Sequence, residues 1–195
     1  MKEYYDKRAP EYDDWYLGRG QFEPRDRAGW DEELDQLFSV IGALGPGRTL
    51  DVACGTGFLT RHLRGDVVGL DQSKRMLDEA HKQAPSVTYV QGDGLALPFV
   101  DGSFDRVFTG HFYGHLGPPE RQRFLAEARR VAPELVVVDA SRRQSEVDEQ
   151  MSQRVLNDGT TWEVFKRYFT GPGLAAELGD GEVLHEGDWF VVVRA

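Results

Sequence analysis

The sequence has little of several residue types, and each shortage excludes a class of protein. One cysteine, Cys54, among 195 residues cannot form an internal disulfide, so a disulfide-stabilised extracellular fold is excluded. No apolar run approaches the roughly 20 residues that cross a bilayer. The charged N-terminus lacks the apolar core of a signal peptide. These absences predict a cytoplasmic protein with no membrane partner.

Excess positive charge is also missing. The chain has 23 basic and 33 acidic residues, a formal net charge of −10, which repels phosphate backbones. The short basic pairs, Arg129-Arg130 and Arg142-Arg143, are interpreted as solvated helix faces. Nucleic acid is therefore not the expected partner. With no paired histidines on a predicted helix and no second cysteine, no metal is expected, and a Gly-x-Ser-x-Gly hydrolase motif does not occur.

The most informative stretch is residues 49–60. A short apolar run stops at Gly55-Thr56-Gly57, where glycines allow positive φ and close approach to a ligand, and a helix-like pattern follows. Fourteen residues after Gly57 a second apolar run ends in Asp71. A carboxylate at a neighbouring strand tip can accept both hydroxyls of a ribose. The pattern predicts a nucleoside-binding crevice at the carboxyl ends of parallel strands.

Alternative interpretations of this stretch are weaker. The dinucleotide fingerprint needs a third glycine where Thr60 stands, and the phosphate-loop lysine pattern is absent. A strand-turn-helix whose glycines serve only the turn remains the structural alternative, and Asp71 argues against it.

The rest of the chain alternates strand and helix patterns, which predicts an open α/β sheet of the Rossmann-like type. We predict one domain, with a helical preface over residues 1–47 and a core over residues 48–195. The aromatic segment at about 141–170 is predicted as an insertion, helical and then extended. The chain is predicted to end in a hairpin whose two-residue turn is Gly187-Asp188.

Nearly the whole chain resembles the class I S-adenosylmethionine-dependent methyltransferases, in their small-molecule, UbiE-like branch. The likeness is carried by the glycine motif of residues 51–57, by Asp71, and by Asp93-Gly94-Leu95 followed by Leu97-Pro98-Phe99. It implies a seven-stranded sheet in the order 3-2-1-4-5-7-6 with one antiparallel strand. It also implies S-adenosyl-L-methionine as cofactor, S-adenosyl-L-homocysteine as product, and an N-terminal lid.

The resemblance also implies the residues that contact the cofactor. These are Tyr5, Tyr12, Asp51, Ala53, Cys54, Gly55, Gly57, Asp71, Gln72, Met76, Asp93, Gly94, Leu95, Thr109 and Gly110.

Two departures from the family pattern stand out. Ala132-Pro133-Glu134 replaces the usual Pro-Gly-Gly before the fifth strand. Gly110-His111-Phe112-Tyr113 replaces the Asp/Asn-Pro-Pro-Tyr/Phe motif of enzymes that methylate base or glutamine nitrogen. The second departure argues against those acceptors.

The predicted acceptor is a small apolar or aromatic metabolite, because aromatic residues gather in the preface and the insertion. Methylation of oxygen is slightly favoured, with carbon or nitrogen open. His115 and His111, just beyond the fourth strand, are the candidate bases, since an imidazole with a pKa of about 6.5 suits proton transfer. Lys166 and Arg167 could bind an acceptor carboxylate, but solvation at the surface is the preferred interpretation.

The alternative function is a protein of the same fold that binds the cofactor or its product without methylating, in a regulatory role. The sequence leaves the oligomeric state open between monomer and homodimer.

Overall fold

The computed structural model describes residues 1–23 and 27–195, which form a mostly parallel sheet flanked by helices. The helices are α1 (Lys2–Arg8), α2 (Asp14–Leu17), α3 (Trp30–Ala43), α4 (Lys74–Gln83), α5 (Pro118–Val131) and α6 (Gly171–Glu177). The strands are β1 (Gly47–Val52), β2 (Gly65–Asp71), β3 (Thr88–Gln91), β4 (Arg106–Gly110), β5 (Glu134–Ala140), β6 (Glu149–Val155), β7 (Thr161–Arg167), β8 (Glu182–Glu186) and β9 (Phe190–Arg194). Within the described ranges, no helix combines the length and apolar character needed to cross a membrane.

The main sheet has seven strands in the order β3-β2-β1-β4-β5-β9-β8. The first five are parallel, whereas β9 runs antiparallel to both of its neighbours. Strands β6 and β7 form a separate two-stranded sheet. Counted within the main sheet alone, the order is therefore the predicted 3-2-1-4-5-7-6, and the predicted fold class is confirmed.

The sheet is apolar on both faces, as expected of central parallel strands covered by helices. In β5, Leu135 and Val137 face a cluster that includes Phe124 of α5, while Val136 and Val138 face the opposite cluster with Leu37 of α3. Because strand side chains alternate between faces, one apolar run serves both layers. The strands are therefore packed between two apolar layers, and their carboxyl ends lie along the same edge of the sheet.

The predicted helix after the glycine loop is wrong. Only a single 3₁₀ turn, Thr60–His62, lies between β1 and β2. Twelve residues separate Val52 from Gly65. Spanning a six-residue strand of about 20 Å would use about 13 residues of α-helix, so this crossover is too short to hold one.

The insertion at 141–170 is also not helical. A 3₁₀ turn, Arg142–Gln144, leads into the antiparallel hairpin of β6 and β7. Its loop contains Asn157-Asp158-Gly159, where Gly159 has φ +80°. That turn chemistry is typical of a hairpin.

The N-terminal segment is helical and packs over the strand tips, against the hairpin and α4. The ring of Tyr4 lies 5.8 Å from that of Trp162 in β7, and Asn157 donates its N–H to Glu11 at 2.8 Å. Ser73, whose hydroxyl caps α4, also donates to Asp6 at 2.6 Å. These contacts set the segment over the site, and its function as a lid stays a prediction.

The carboxylate of Glu33 holds the turn of the terminal hairpin. It accepts N–H groups of Asp188, Trp189 and Phe190 at 2.8–3.1 Å. Gly187 donates to Phe190 across the turn, so the turn residues are Asp188 and Trp189 rather than the predicted Gly187-Asp188. A side chain at Gly187 would collide with the Glu33 carboxylate, which explains the glycine.

We expect Glu33→Ala to lower the free energy of unfolding by about 2–4 kcal/mol, because three backbone N–H groups, one buried and two partly buried, lose a charged acceptor. Urea unfolding monitored by circular dichroism measures the change. Glu32→Ala, one residue away on the exposed face of α3, is the matched control. Equal stability of the two variants would contradict this role for Glu33.

Candidate functional site

A cavity of about 170 Å³ lies at the carboxyl ends of the parallel strands. The structure brings most of the predicted site residues to its wall. These are Tyr5, Tyr12, Ala53, Gly55, Asp71, Gln72, Met76, Asp93, Gly94, Leu95, Gly110, His111 and His115. Separate elements supply them, so only the parallel topology makes them neighbours.

Asp71, at the end of β2, bonds to the glycine loop. One carboxylate oxygen accepts the N–H of Gly55 at 3.0 Å, and the other accepts that of Ser73 at 2.8 Å. Gly55 has φ +55°, which turns its N–H toward this carboxylate at little steric cost. Burial raises the pKa of Asp71 to about 6. The loop and the acidic strand tip are thus one structural unit.

Asp51 is the second buried carboxyl group of the site. Its Oδ2 accepts the Thr60 hydroxyl at 2.6 Å, whereas Oδ1 has no hydrogen-bond partner among the described residues. Burial raises the pKa of Asp51 to about 7. It lines a small recess beside the first cavity, bordered by Ala53 and Gly110. Such an oxygen suits a hydrogen-bond donor from a ligand, above all a cationic one.

The loop after β3 forms the opposite wall of the cavity. The carboxylate of Asp93 accepts the N–H of Leu95 at 2.9 Å, closing a tight turn. A Cβ atom on Gly94 would lie 2.9 Å from Val52 Cγ1 and 3.1 Å from Phe112 Cζ. Only glycine therefore fits where this loop approaches β1.

Four predicted cofactor residues do not line the first cavity. Cys54 and Asp51 border the recess instead. Gly57 has φ +77° and packs against Tyr89 and Ala80. Thr109 is fully buried and donates its hydroxyl to the Val52 carbonyl at 2.7 Å.

A second cavity of about 740 Å³ adjoins the first. Tyr12, His111 and His115 line both, so the two spaces meet at the tip of β4. The remaining walls of the second cavity come from the N-terminal segment, the end of β5 with the 3₁₀ turn that follows it, the β6–β7 hairpin and the β8–β9 turn. They are Arg8, Trp15, Phe22, Ala28, Ala140, Arg143, Gln144, Arg154, Lys166, Tyr168, Asp188 and Trp189.

Lys166 is not solvated at the surface, contrary to the sequence interpretation. It is 5% exposed and its ammonium lies 2.5 Å from the fully buried carboxylate of Asp139. The same carboxylate accepts the N–H of Gly114 at 2.7 Å. Arg143 is exposed, as predicted, but it lies in a 3₁₀ turn rather than on an α-helix, and it lines the second cavity.

The two histidines lie where the cavities meet. His111 has φ +56°, an uncommon conformation for a residue with a side chain, and its buried Nε2 has no hydrogen-bond partner in the described part of the chain. His115 contacts the Phe165 carbonyl through Nδ1 at 2.6 Å. Because a carbonyl only accepts, Nδ1 carries the proton and Nε2 is left as an acceptor.

Both imidazoles are poorer bases than the sequence suggests. Burial, reinforced by the charge of Lys166, lowers the pKa of His111 to about 4 and that of His115 to about 3. Each is therefore neutral near pH 7. A neutral imidazole can still accept a proton, but with less driving force than one whose pKa is near 6.5.

Sequence reasoning missed several lining residues. Met1, Leu70, Phe112, Leu116 and Glu120 complete the first cavity. Arg8 and Arg154, which line the second cavity, were also missed, whereas Tyr168 belongs to the aromatic insertion that was predicted to contact the acceptor. Arg8 was in the predicted preface, and its basic charge amid tyrosines was the one available signal. Over residues 1–23 and 27–195, no grouping of three or more histidine, cysteine or acidic residues could hold a metal ion.

Comparison with known proteins agrees with this arrangement. A family model described as a methyltransferase domain matches residues 49–134. An uncharacterized methyltransferase of Synechocystis sp., sll0829, is 37% identical over 107 residues, which is 53% of this chain and 50% of that protein. The demethylmenaquinone methyltransferase of Thermotoga maritima is 35% identical over 101 residues, 49% of this chain and 43% of that protein.

The chain thus spans about half the length of the curated relatives that it matches. A solved structure covers more of it. The complex titled DhpI-SAM-HEP superposes with a TM-score of 0.74 at 25% identity, covering 98% of this chain and 94% of that one.

The order of the strands, the glycine loop and Asp71 at the tip of β2 together define a Rossmann-like fold of the methyltransferase type. Residues 49–134 match a methyltransferase domain, and the sequence and fold of the chain are similar to those of the class I S-adenosylmethionine-dependent methyltransferases.

We expect wild-type protein to lose stability relative to Asp51→Asn as pH rises from about 4 to about 7. The folded pKa of Asp51 is raised, so the folded state binds its proton more tightly, and that stabilisation disappears as the group ionises. The slope is at most about 1.4 kcal/mol per pH unit. Urea unfolding across this range, with Asp35→Asn on exposed α3 as control, measures it. A constant difference between wild type and Asp51→Asn would contradict the raised pKa.

We also expect the Cε1–H resonances of His111 and His115 to stay unshifted between about pH 5.5 and 8, because a group with a pKa of about 4 or 3 remains neutral there. Proton NMR of wild-type protein tests this, with His111→Gln and His115→Gln assigning the signals. A midpoint near 6.5 for either signal would contradict the burial argument.

Proposed function

We propose that this protein transfers the methyl group of S-adenosyl-L-methionine to a small molecule and releases S-adenosyl-L-homocysteine. One observation carries the proposal. The buried carboxylate of Asp71 bonds to the glycine loop at the wall of a cavity that shares Tyr12, His111 and His115 with a larger one. A cofactor and an acceptor would each have a space, with one shared boundary.

The residues of the first cavity fit the parts of the cofactor. A carboxylate has about four lone-pair sites. The two N–H groups on Asp71 therefore leave acceptors for the ribose hydroxyls. The unpartnered Oδ1 of Asp51 would receive the amino group of the methionine portion, which passes Ala53 and Gly55. Asp93, Gly94 and Leu95 would border the adenine.

The remaining predicted contacts divide into two groups. Gln72, Met76 and Gly110 would line the cofactor directly. Cys54, Gly57 and Thr109 would act through the loop and strand geometry that they maintain.

The first cavity is small for this cofactor. Its volume of about 170 Å³ is below the roughly 300 Å³ at which ligand pockets begin. Met1, Tyr5 and Tyr12 of the N-terminal segment narrow it. We therefore propose that residues 1–12 shift outward to admit the cofactor and return as a lid that excludes water.

The bound cofactor supplies an activated methyl group on a sulfonium. The protein then needs to hold the acceptor in line with that methyl group and keep the space dry, and such positioning contributes about 7–11 kcal/mol in favourable cases. His111 and His115 would orient the acceptor at the boundary through their unprotonated nitrogens. For a hydroxyl acceptor they would also receive its proton, so oxygen remains slightly favoured over carbon and nitrogen.

The acceptor would occupy the second cavity. Trp15, Tyr168 and Trp189 line it, which supports a flat, partly apolar molecule. The names of the relatives leave the acceptor open, because this chain matches only about half of each relative's length.

The alternative is a protein that binds the cofactor in the first cavity but does not transfer its methyl group. Mass spectrometry of acceptor candidates incubated with S-adenosyl-L-methionine separates the two, since only methyl transfer gives products heavier by a methylene.

We expect Asp71→Asn to weaken S-adenosyl-L-homocysteine binding roughly 10- to 100-fold, because the ribose hydroxyls lose a charged acceptor. Isothermal titration calorimetry measures the affinity. Asp66→Asn, on the exposed end of the same strand, is the matched control. If wild-type protein shows no heat with S-adenosyl-L-homocysteine but binds a nicotinamide dinucleotide tightly, the proposed function is wrong.

A further inference from the structure

We propose that the second cavity selects acceptors that carry an oxyanion, a carboxylate or a phosphate-type group, and that Arg8 is its principal ligand. This inference rests on the proposed function for its role in methyl transfer. The binding of an anion can be tested without turnover.

The charge of the cavity wall contrasts with that of the whole protein. Arg8, Arg143, Arg154 and Lys166 line the cavity, with Asp188 as the one acidic lining residue among those described. The chain as a whole carries a formal charge of −10. A cleft lined by one sign of charge focuses its field and attracts ligands of the opposite sign.

Part of this positive charge is already compensated. Lys166 pairs with Asp139 at 2.5 Å, and Arg143 pairs with Asp188 at 3.1 Å near the rim, where both side chains are exposed. These two would shape the field without being the main contacts.

Arg8 differs from them. Its guanidinium donates to the Tyr4 hydroxyl and lies over the Tyr12 ring, 4.8 Å from the ring centroid. No carboxylate of the described residues lies within ion-pair distance of it. Because Arg8 is half-buried, its charge is poorly solvated, and a ligand oxyanion would supply the missing counter-charge.

Arg8 is also well placed relative to the reaction boundary. Tyr12, on which it stacks, lines both cavities and is therefore shared by the acceptor space and the cofactor space. The aromatic walls from Trp15, Tyr168 and Trp189 would hold the body of the acceptor, while Arg8 holds its charged group.

The test uses matched ligands that differ in charge. Benzoate and phenylphosphonate are the anionic probes, and benzamide is the neutral analogue of benzoate. Ligand-observed NMR titrations at fixed ionic strength give their affinities for the full chain. Arg8→Gln removes the charge, Arg8→Lys preserves it, and Arg123→Gln on exposed α5 makes the same charge change away from the cavity.

We expect at least one anionic probe to bind at least about tenfold more tightly than benzamide. Arg8→Gln should weaken its binding roughly 10- to 100-fold, as expected for loss of a charge-assisted contact. Arg8→Lys should keep part of the affinity, and Arg123→Gln all of it. The order of benzoate and phenylphosphonate distinguishes a carboxylate from a phosphate-type acceptor.

Equal affinity for benzamide, unchanged binding in Arg8→Gln, or no binding of either anion would overturn the inference. Thermal unfolding of Arg8→Gln, together with retained binding in Arg8→Lys, separates loss of the contact from loss of the fold. Titration of S-adenosyl-L-homocysteine on the same samples separates the two proposals. Cofactor binding without anion binding contradicts only this inference, and the reverse result contradicts only the proposed function.

Discussion

The hydrogen bond from the Gly55 N–H to the Asp71 carboxylate is the constraint on which the site depends. It joins the loop after β1 to the tip of β2, so the two strands present a single wall. The N–H of Ser73 donates to the same carboxylate, and the hydroxyl of Ser73 accepts the N–H of Met76 at the start of α4, so the position of α4 is fixed as well. Burial of this network raises the pKa of Asp71, so the protein holds a costly charge where a ligand with donors would relieve the cost.

A second buried interaction shapes the acceptor space. The ion pair between Asp139 and Lys166 ties the end of β5 to the β6–β7 hairpin, and the Gly114 N–H joins the same carboxylate. The hairpin is thereby held across the edge of the sheet, where it completes the second cavity. A buried ion pair is weak evidence for net stability, because desolvation of the two charges offsets their attraction. Here it sets the distance between the hairpin and the histidines.

Local patterns predicted some features well and others badly. The two apolar runs that stop before the Gly55-Thr56-Gly57 turn and at Asp71 were correctly predicted as strands, because each pattern depends on a few neighbouring residues. The absence of a helix after Gly57 was not predicted, because it depends on the length of the strand that the crossover between β1 and β2 must span. The polar hairpin at 149–167 also shows no clear alternation of apolar and polar residues, since its strands pack on the N-terminal segment rather than on the main core.

The sequence alone determined the fold class and most of the candidate residues that line the first cavity, because the glycine loop and acidic strand tips are short motifs whose geometry follows from their own residues. The tertiary structure decided the rest. Whether Lys166 is solvated or paired, whether His111 and His115 are basic, and whether Arg8 meets a carboxylate depend on which distant segments enclose them. Burial and electrostatic environment are properties of the assembled chain, and no local pattern encodes them.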